Sequence, residues 1–250
     1  MIEIRNLSLS LKKTEVLRNV NLTLKEGEIT ILIGPNGSGK TSIVRILSSL
    51  HTDYYGSVRF DGKELSSCKW SERKNLSALL PQFPPALDAT LLELMSLTDS
   101  SSLFHRESEA ERQANLKKLD SLSASHLADK KLSEMSGGER QLSFLALMAS
   151  HDAGLYLLDE PESNLDVRFS KTVEDTMKRL KAEGKAVLAV FHDLNRALEM
   201  ADRIIVLDKG SVCFEGNGEA LLSSGIPEKV FGLKILKLKD ENGQNYTLLK

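Results

Sequence analysis

The stretch GPNGSGKT, Gly34–Thr41, constrains this chain more than any other. It lies between a continuous apolar run, Ile29–Ile33, and a segment with helical spacing, Ser42–Leu50. Strand, glycine loop and helix in that order open a nucleotide-binding α/β unit. The stretch is a full G-x-x-x-x-G-K-[ST] match in the context that pattern requires. Its glycines let consecutive backbone N–H groups wrap an anion, and the helix start adds partial positive charge. The candidate phosphate-binding residues are therefore Gly34, Pro35, Asn36, Gly37, Ser38, Gly39, Lys40, Thr41 and Ser42. Lys40 is expected to reach the β and γ phosphates of a nucleotide, and Thr41 to hold Mg2+.

Two further strand ends support the loop. LYLLDE, Leu155–Glu160, is an apolar strand that finishes in two acids, where open parallel sheets keep their ligand sites. Asp159 suits the Mg2+ shell, and Glu160, one residue further out, suits orientation or deprotonation of an attacking water. Adjacent acids at a strand end also serve as solvated caps, and only the phosphate loop disfavours that reading. His192 closes a third apolar strand, AVLAVFH; a lone histidine is more often structural, but a neutral imidazole there can hydrogen-bond a γ-phosphate. His51, His105, His126 and His151 have no metal-ligand spacing.

Charge and length exclude other classes. The 250 residues carry 33 Lys and Arg against 35 Asp and Glu, a net charge of -2, which gives no sign of a polybasic nucleic-acid binder. The start, MIEIRNLSLSL, alternates like a strand and lacks the parts of a signal peptide. Apolar runs such as Leu155–Leu158 and Ile204–Leu207 fall far short of the roughly 20 residues of a membrane span, so the chain is expected to be soluble in itself. Cys68 and Cys213 read as plain thiols of a reducing compartment.

The expected fold class is α/β: a P-loop NTPase core with an N-terminal antiparallel β part and an inserted helical subdomain. Residues 1–86 and 136–250 would form the core, with Asp61-Gly62 as a hairpin turn. Residues 87–135, charged, serine-rich and helically spaced, would form the subdomain. At its end stands MSGGE, Met135–Glu139. A serine at a helix N-cap needs no glycines beside it, so Ser136, Gly137 and Gly138 imply that something else comes close to that backbone.

Taken together these residues resemble the ATPase subunit of ABC transporters over nearly the whole chain. The match comprises the phosphate loop, Gln82 in LLPQF, MSGGE, the Asp159-Glu160 strand end, SNLD at 163–166 and His192. The resemblance implies ATP and Mg2+ as ligands and a head-to-tail homodimer. In it each phosphate loop faces the partner's Ser136, Gly137, Gly138 and Glu139. Gln82 would contact Mg2+ and the γ-phosphate alongside Lys40, Glu160 and His192, and Asp166 would cross the dimer. Integral-membrane permease subunits would dock on the helical subdomain, and an external substrate-binding protein would act indirectly. No nucleic-acid partner is expected. The chain would then lie in the cytoplasm, peripheral to the inner face of a prokaryotic membrane. HDLN followed by its helix, and the tail GNGEALLSSGIPEKVFGLKI, look most like the iron-siderophore, haem and cobalamin importers, whose tail forms a short helix and a small closing strand. Zinc or manganese importers and exporters are the alternatives within transport. Soluble ABC proteins of DNA repair or translation would carry coiled-coil insertions or doubled motifs, and a small-molecule kinase would need neither MSGGE nor SNLD.

The chain departs from that pattern in places. Leu11 falls where the family stacks an aromatic ring on adenine, so weaker base discrimination is expected. Met135 replaces a leucine, a near-isosteric change, and Glu162 replaces a threonine beside the two acids. The inserted segment looks short and serine-rich around Ser100–Ser102, which would reshape the surface facing the permease.

Overall fold

In the computed structural model residues 1–99, 108–161, 167–239 and 245–249 are described. The N-terminal alternation forms a long antiparallel pair, β1 (Ile2–Leu11) and β2 (Thr14–Leu24). Ile2, Ile4, Leu7 and Leu9 turn inward, and Leu17, Val20, Leu22 and Leu24 meet them. Gly27 turns the chain at positive φ into β3 (Ile29–Ile33), which is buried along its whole length. The phosphate loop then leads into α1 (Lys40–Leu47). Next come β4 (Tyr55–Phe60), β5 (Lys63–Glu64), α2 (Trp70–Arg73) and β6 (Ser77–Leu80). Asp61 and Gly62, both at positive φ, make the hairpin turn between β4 and β5.

The helical segment contains α3 (Leu91–Asp99) and α4 (Glu109–Asp120) and is followed by α5 (Gly137–Ser150). An antiparallel bridge between Thr90 and Lys131 closes its base. Its core of Leu91, Leu92, Met95, Leu119, Leu127 and Leu132 is separate from those of the sheets. Helix α5 joins the units, giving Ala146 to that cluster and Leu145 and Met148 to the main core.

The second half alternates strand and helix: β7 (Leu155–Asp159), α6 (Val167–Ala182), β8 (Ala186–Val190), α7 (Leu194–Met200) and β9 (Arg203–Asp208). Lys209 and Gly210 turn the chain into β10 (Ser211–Gly216), antiparallel at the sheet edge. The larger sheet runs β10-β9-β3-β8-β7-β6 and the smaller β2-β1-β4-β5. The five strands β9, β3, β8, β7 and β6 are parallel neighbours, so their carboxyl ends share one edge. β3, β7 and β8 are buried throughout because both sheet faces are covered.

The tail differs from the expected helix and strand. Gly225, at φ 73, follows α8 (Gly218–Ser223), and Pro227 sits in the first turn of α9 (Ile226–Phe231), so one helix becomes two. A separate hairpin, β11 (Ile235–Lys239) with β12 (Asn245–Leu249), follows in place of a single closing strand.

Candidate nucleotide site

The phosphate loop leaves the carboxyl end of β3, which lies between β9 and β8 on the shared edge. Gly39 has φ 106, and a Cβ there would lie 2.6 Å from Leu17 Cδ2 and 3.0 Å from the Val16 carbonyl oxygen. Glycine is therefore what lets the loop lie down on β2. A Cβ on Gly37 would instead meet open space. A cavity of 170 Å³ opens over the loop, walled by Asn36, Gly37, Gly39, Lys40 and Thr41, with Glu160 reaching in from the end of β7. Val16 closes another wall, whereas Leu11, 41% exposed at the end of β1, does not line it.

Lys40 is buried, and its Nζ donates to the carbonyl oxygens of Gly34 at 2.7 Å and Pro35 at 3.0 Å. Burial pushes its pKa down, and the carboxylates of Glu160 and Asp159 partly oppose that shift. Thr41 Oγ1 donates to Asp159 Oδ1 at 3.3 Å. Asp159 is 6% exposed; burial first, and the neighbouring Glu160 charge second, raise its carboxyl above the ordinary range. Ser38 is 3% exposed, and its Oγ has no hydrogen-bond partner among the described residues. An orphaned hydroxyl, an open glycine and the N–H groups at the first turn of α1 form a set of donors that fits a triphosphate. The hard oxygens of Thr41 and Asp159 fit Mg2+.

Glu160 is where the strand ends meet. It is a non-glycine residue at φ 51, and its backbone N–H donates to the Val190 carbonyl at 3.2 Å. Its carboxylate accepts a hydrogen bond from Gln82 Nε2, just beyond β6, and lies 2.6 Å from His192 Nε2, just beyond β8. Neighbouring parallel strands thus bring Gln82, Asp159, Glu160 and His192 to one place. A 330 Å³ cavity beside them is lined by Ser170, His192, Asp193 and Arg196.

MSGGE is held elsewhere. Ser136 is the N-cap of α5: its Oγ accepts from the Glu139 N–H at 3.3 Å, and the Glu139 carboxylate accepts from the Ser136 N–H at 2.8 Å. Lys130 sits 2.9 Å from Glu139, and this bond, with the Ser136 N–H next, draws the Glu139 pKa down to about 2. Arg140 donates to the carbonyls of Leu132 and Met135. Ser136, Gly137 and Gly138 are exposed, and Ser136 and Gly137 line neither cavity described above. The chain's own fold does not bring them to its phosphate loop. Glu162, Asp166, His105 and the 100–102 segment lie outside the described residues.

Sequence reasoning missed Val16, which reads as an ordinary inward strand residue, and the clasp of Lys130 and Arg140 on the α5 start. It also missed Gln141, buried on α5, whose Nε2 donates to the Pro161 carbonyl at 3.4 Å. Of these, only Arg140 and Gln141, which directly follow MSGGE, carried any signal.

This geometry defines a nucleotide-hydrolysing module of the P-loop type. The model of the ABC transporter family matches residues 17–163, and the chain belongs to that family as an ABC-type ATPase. Among curated proteins it is 31% identical over 237 residues to the petrobactin import ATP-binding protein YclP of Bacillus subtilis, covering 94% of each. It is 30% identical over 238 residues to the ferric enterobactin transport ATP-binding protein FepC of Escherichia coli, covering 94% of this chain and 88% of that one. To the hemin import ATP-binding protein HmuV of Bradyrhizobium diazoefficiens it is 34% identical over 229 residues, covering 86% and 82%. Among solved structures it resembles the dimeric bacterial ABC transporter cassette MJ0796, with TM-score 0.79 and 28% identity, covering 87% of this chain and 99% of that one. Among the described residues no helix is long and apolar enough to cross a membrane.

Proposed function

We propose that this chain hydrolyses ATP to drive import of a metal chelate of the iron-siderophore or haem type through a separate membrane permease. The observation that carries the catalytic part is the Glu160 carboxylate, set at one strand end between Gln82 and His192 and beside Lys40 and Asp159. Likeness to YclP, FepC and HmuV, named for petrobactin import, ferric enterobactin transport and hemin import, supports the import part.

In this reading Lys40 leaves the Gly34 and Pro35 carbonyls to meet the β and γ phosphates, and loop N–H groups with Ser38 Oγ take the remaining oxygens. Thr41 and Asp159 would hold Mg2+, with Gln82 as a further ligand. When bound, the ion would supply neutralisation of negative charge on the phosphates. Glu160 accepts the proton of the attacking water, and His192 turns its N–H from that carboxylate to the γ-phosphate when ATP is bound. Val16 offers the base an apolar wall, and Leu11 stands beyond it, exposed at the end of β1.

A second chain completes the site. Ser136 and the first turn of α5 are pre-capped and exposed, a helix start suited to a γ-phosphate held by the partner's Lys40. Likeness to MJ0796, a cassette solved as a dimer, supports that arrangement. The permease would dock on a 460 Å³ apolar groove between core and helical subdomain, lined by Leu79, Leu87, Leu94, Leu97, Phe144 and Leu147. The working location would then be the cytoplasmic face of a prokaryotic membrane.

Copurification of the chain with its membrane partner, followed by reconstitution and ligand identification, tests the import reading. ATP-dependent uptake of an iron chelate is the expected result. Outward transport, or uptake restricted to free Zn2+ or Mn2+, would replace it.

A further inference from the structure

We infer that Gln141 is a positioning residue: through Pro161 it ties the exposed start of α5 to Glu160, so that a load on one nucleotide's half-site reaches the base serving the other. The inference rests on the head-to-tail reading above.

One end of the tie is a strained residue. A glutamate at φ 51 persists only where its surroundings hold it. Its N–H is fixed by the Val190 carbonyl, its carboxylate by Gln82 and His192, and the next carbonyl, that of buried Pro161, by Gln141 Nε2 at 3.4 Å. Proline's locked φ holds its carbonyl carbon in place relative to the Glu160–Pro161 peptide, so a displacement of that carbonyl, as distinct from a rotation about ψ, is passed back towards Glu160.

The other end is a rigid handle. Glu139 and Ser136 cap each other, Lys130 holds Glu139, and Arg140 holds the carbonyls of Leu132 and Met135. A contact on Ser136 or Gly137 therefore moves the first turns of α5 as a body. Gln141 lies on those turns but faces inward, 7% exposed. Burying an amide costs free energy that methionine or leucine would avoid, so its use here calls for a polar role.

Gln141→Met keeps the length and removes the donor; Gln141→Glu keeps the shape and sets a carboxylate against the Pro161 carbonyl. Both should lower kcat about five- to tenfold, the scale of one buried hydrogen bond, with KM for ATP little changed. In the unliganded Gln141→Met protein the saved cost of burying an amide is set against a buried Pro161 carbonyl left without its donor, so the melting temperature should stay close to wild type while amide hydrogens exchange faster in the peptide carrying Glu160 and Pro161. Wild-type kcat in both variants overturns the inference, as does a fall in melting temperature and ATP affinity that matches the fall in kcat. Glu160→Gln separates the underlying reading. It should reduce turnover by about 10²-fold or more while ATP still drives dimerisation in sedimentation. Retained turnover, or no ATP-driven dimer, would overturn that reading and this inference with it.

Discussion

At the scale of single residues, the site keeps groups in states that a free chain would not favour. Asp159 is buried beside Glu160, and its carboxyl is raised from 3.8 mainly by burial. A carboxyl that holds its proton more tightly when folded stabilises the fold at low pH. That stability is lost as pH rises from the unfolded value through the folded one. At neutral pH Asp159 is therefore a standing cost, and Asp159→Asn should raise the melting temperature at pH 7. The gain should shrink as pH falls towards 3.8, where Asp159 itself becomes neutral. The same variant should lose most of the extra thermal stabilisation that Mg2+ adds to ATP; an unchanged Mg2+ response would remove Asp159 from the metal site. Leu11 makes a second residue-scale prediction. Its 41% exposure leaves an apolar surface without a ring face, so ATP should be preferred over GTP only weakly, and Leu11→Tyr should widen the preference. A strong ATP preference that the substitution leaves unchanged would refute this.

At the scale of elements, the start of helix α5 bears on Gly137, the first of the two glycines after Ser136. Gly137 is the first residue of the helix, has no positive φ, and a Cβ on it would meet nothing within 4 Å. Nothing in the chain's own conformation requires glycine there. Gly137→Ala should accordingly stabilise the isolated protein by about 0.4–1 kcal/mol, through a less flexible unfolded chain. It should nonetheless reduce ATP turnover, because the added methyl stands where the partner's phosphate would approach. Thermal melts and ATPase rates on the same preparation check both halves; a stabilised protein with full activity would mean that the glycine serves no ligand. The contrast is Gly39, where φ and close contacts with Leu17 and Val16 make glycine a local necessity.

At the scale of the whole molecule, the fold keeps the exposed Ser136 helix start away from the chain's own phosphate loop, as the proposed composite site requires. The shared edge of the parallel sheet gathers the phosphate loop, Gln82, Asp159, Glu160 and His192, while Ser136 stands exposed on a helix shared with another core. Ser136→Arg and Lys40→Ala should each inactivate the homodimer. A mixture should recover part of the activity, because one composite site then draws an intact Lys40 from one chain and an intact Ser136 from the other. A mixture as inactive as its components, with mixed dimers demonstrated by mass, would rule out the composite site.

Local patterns were enough for much of this. Strand, glycine loop and helix around Lys40, the strand ends at Asp159 and His192, the Asp61-Gly62 turn and helix α7 are all legible, because each depends on residues adjacent in the chain. The N-cap role of Ser136 is legible for the same reason. What only the tertiary structure decided depends on residues far apart: Lys40 folded onto its own loop carbonyls, Val16 rather than Leu11 at the cavity wall, Glu160 held at φ 51 between neighbouring strands, and Gln141 on the Pro161 carbonyl. Periodicity reports which face of an element is buried. Which distant carbonyl or carboxylate a buried donor meets is set by strand order and helix packing, and those exist only once the chain has folded.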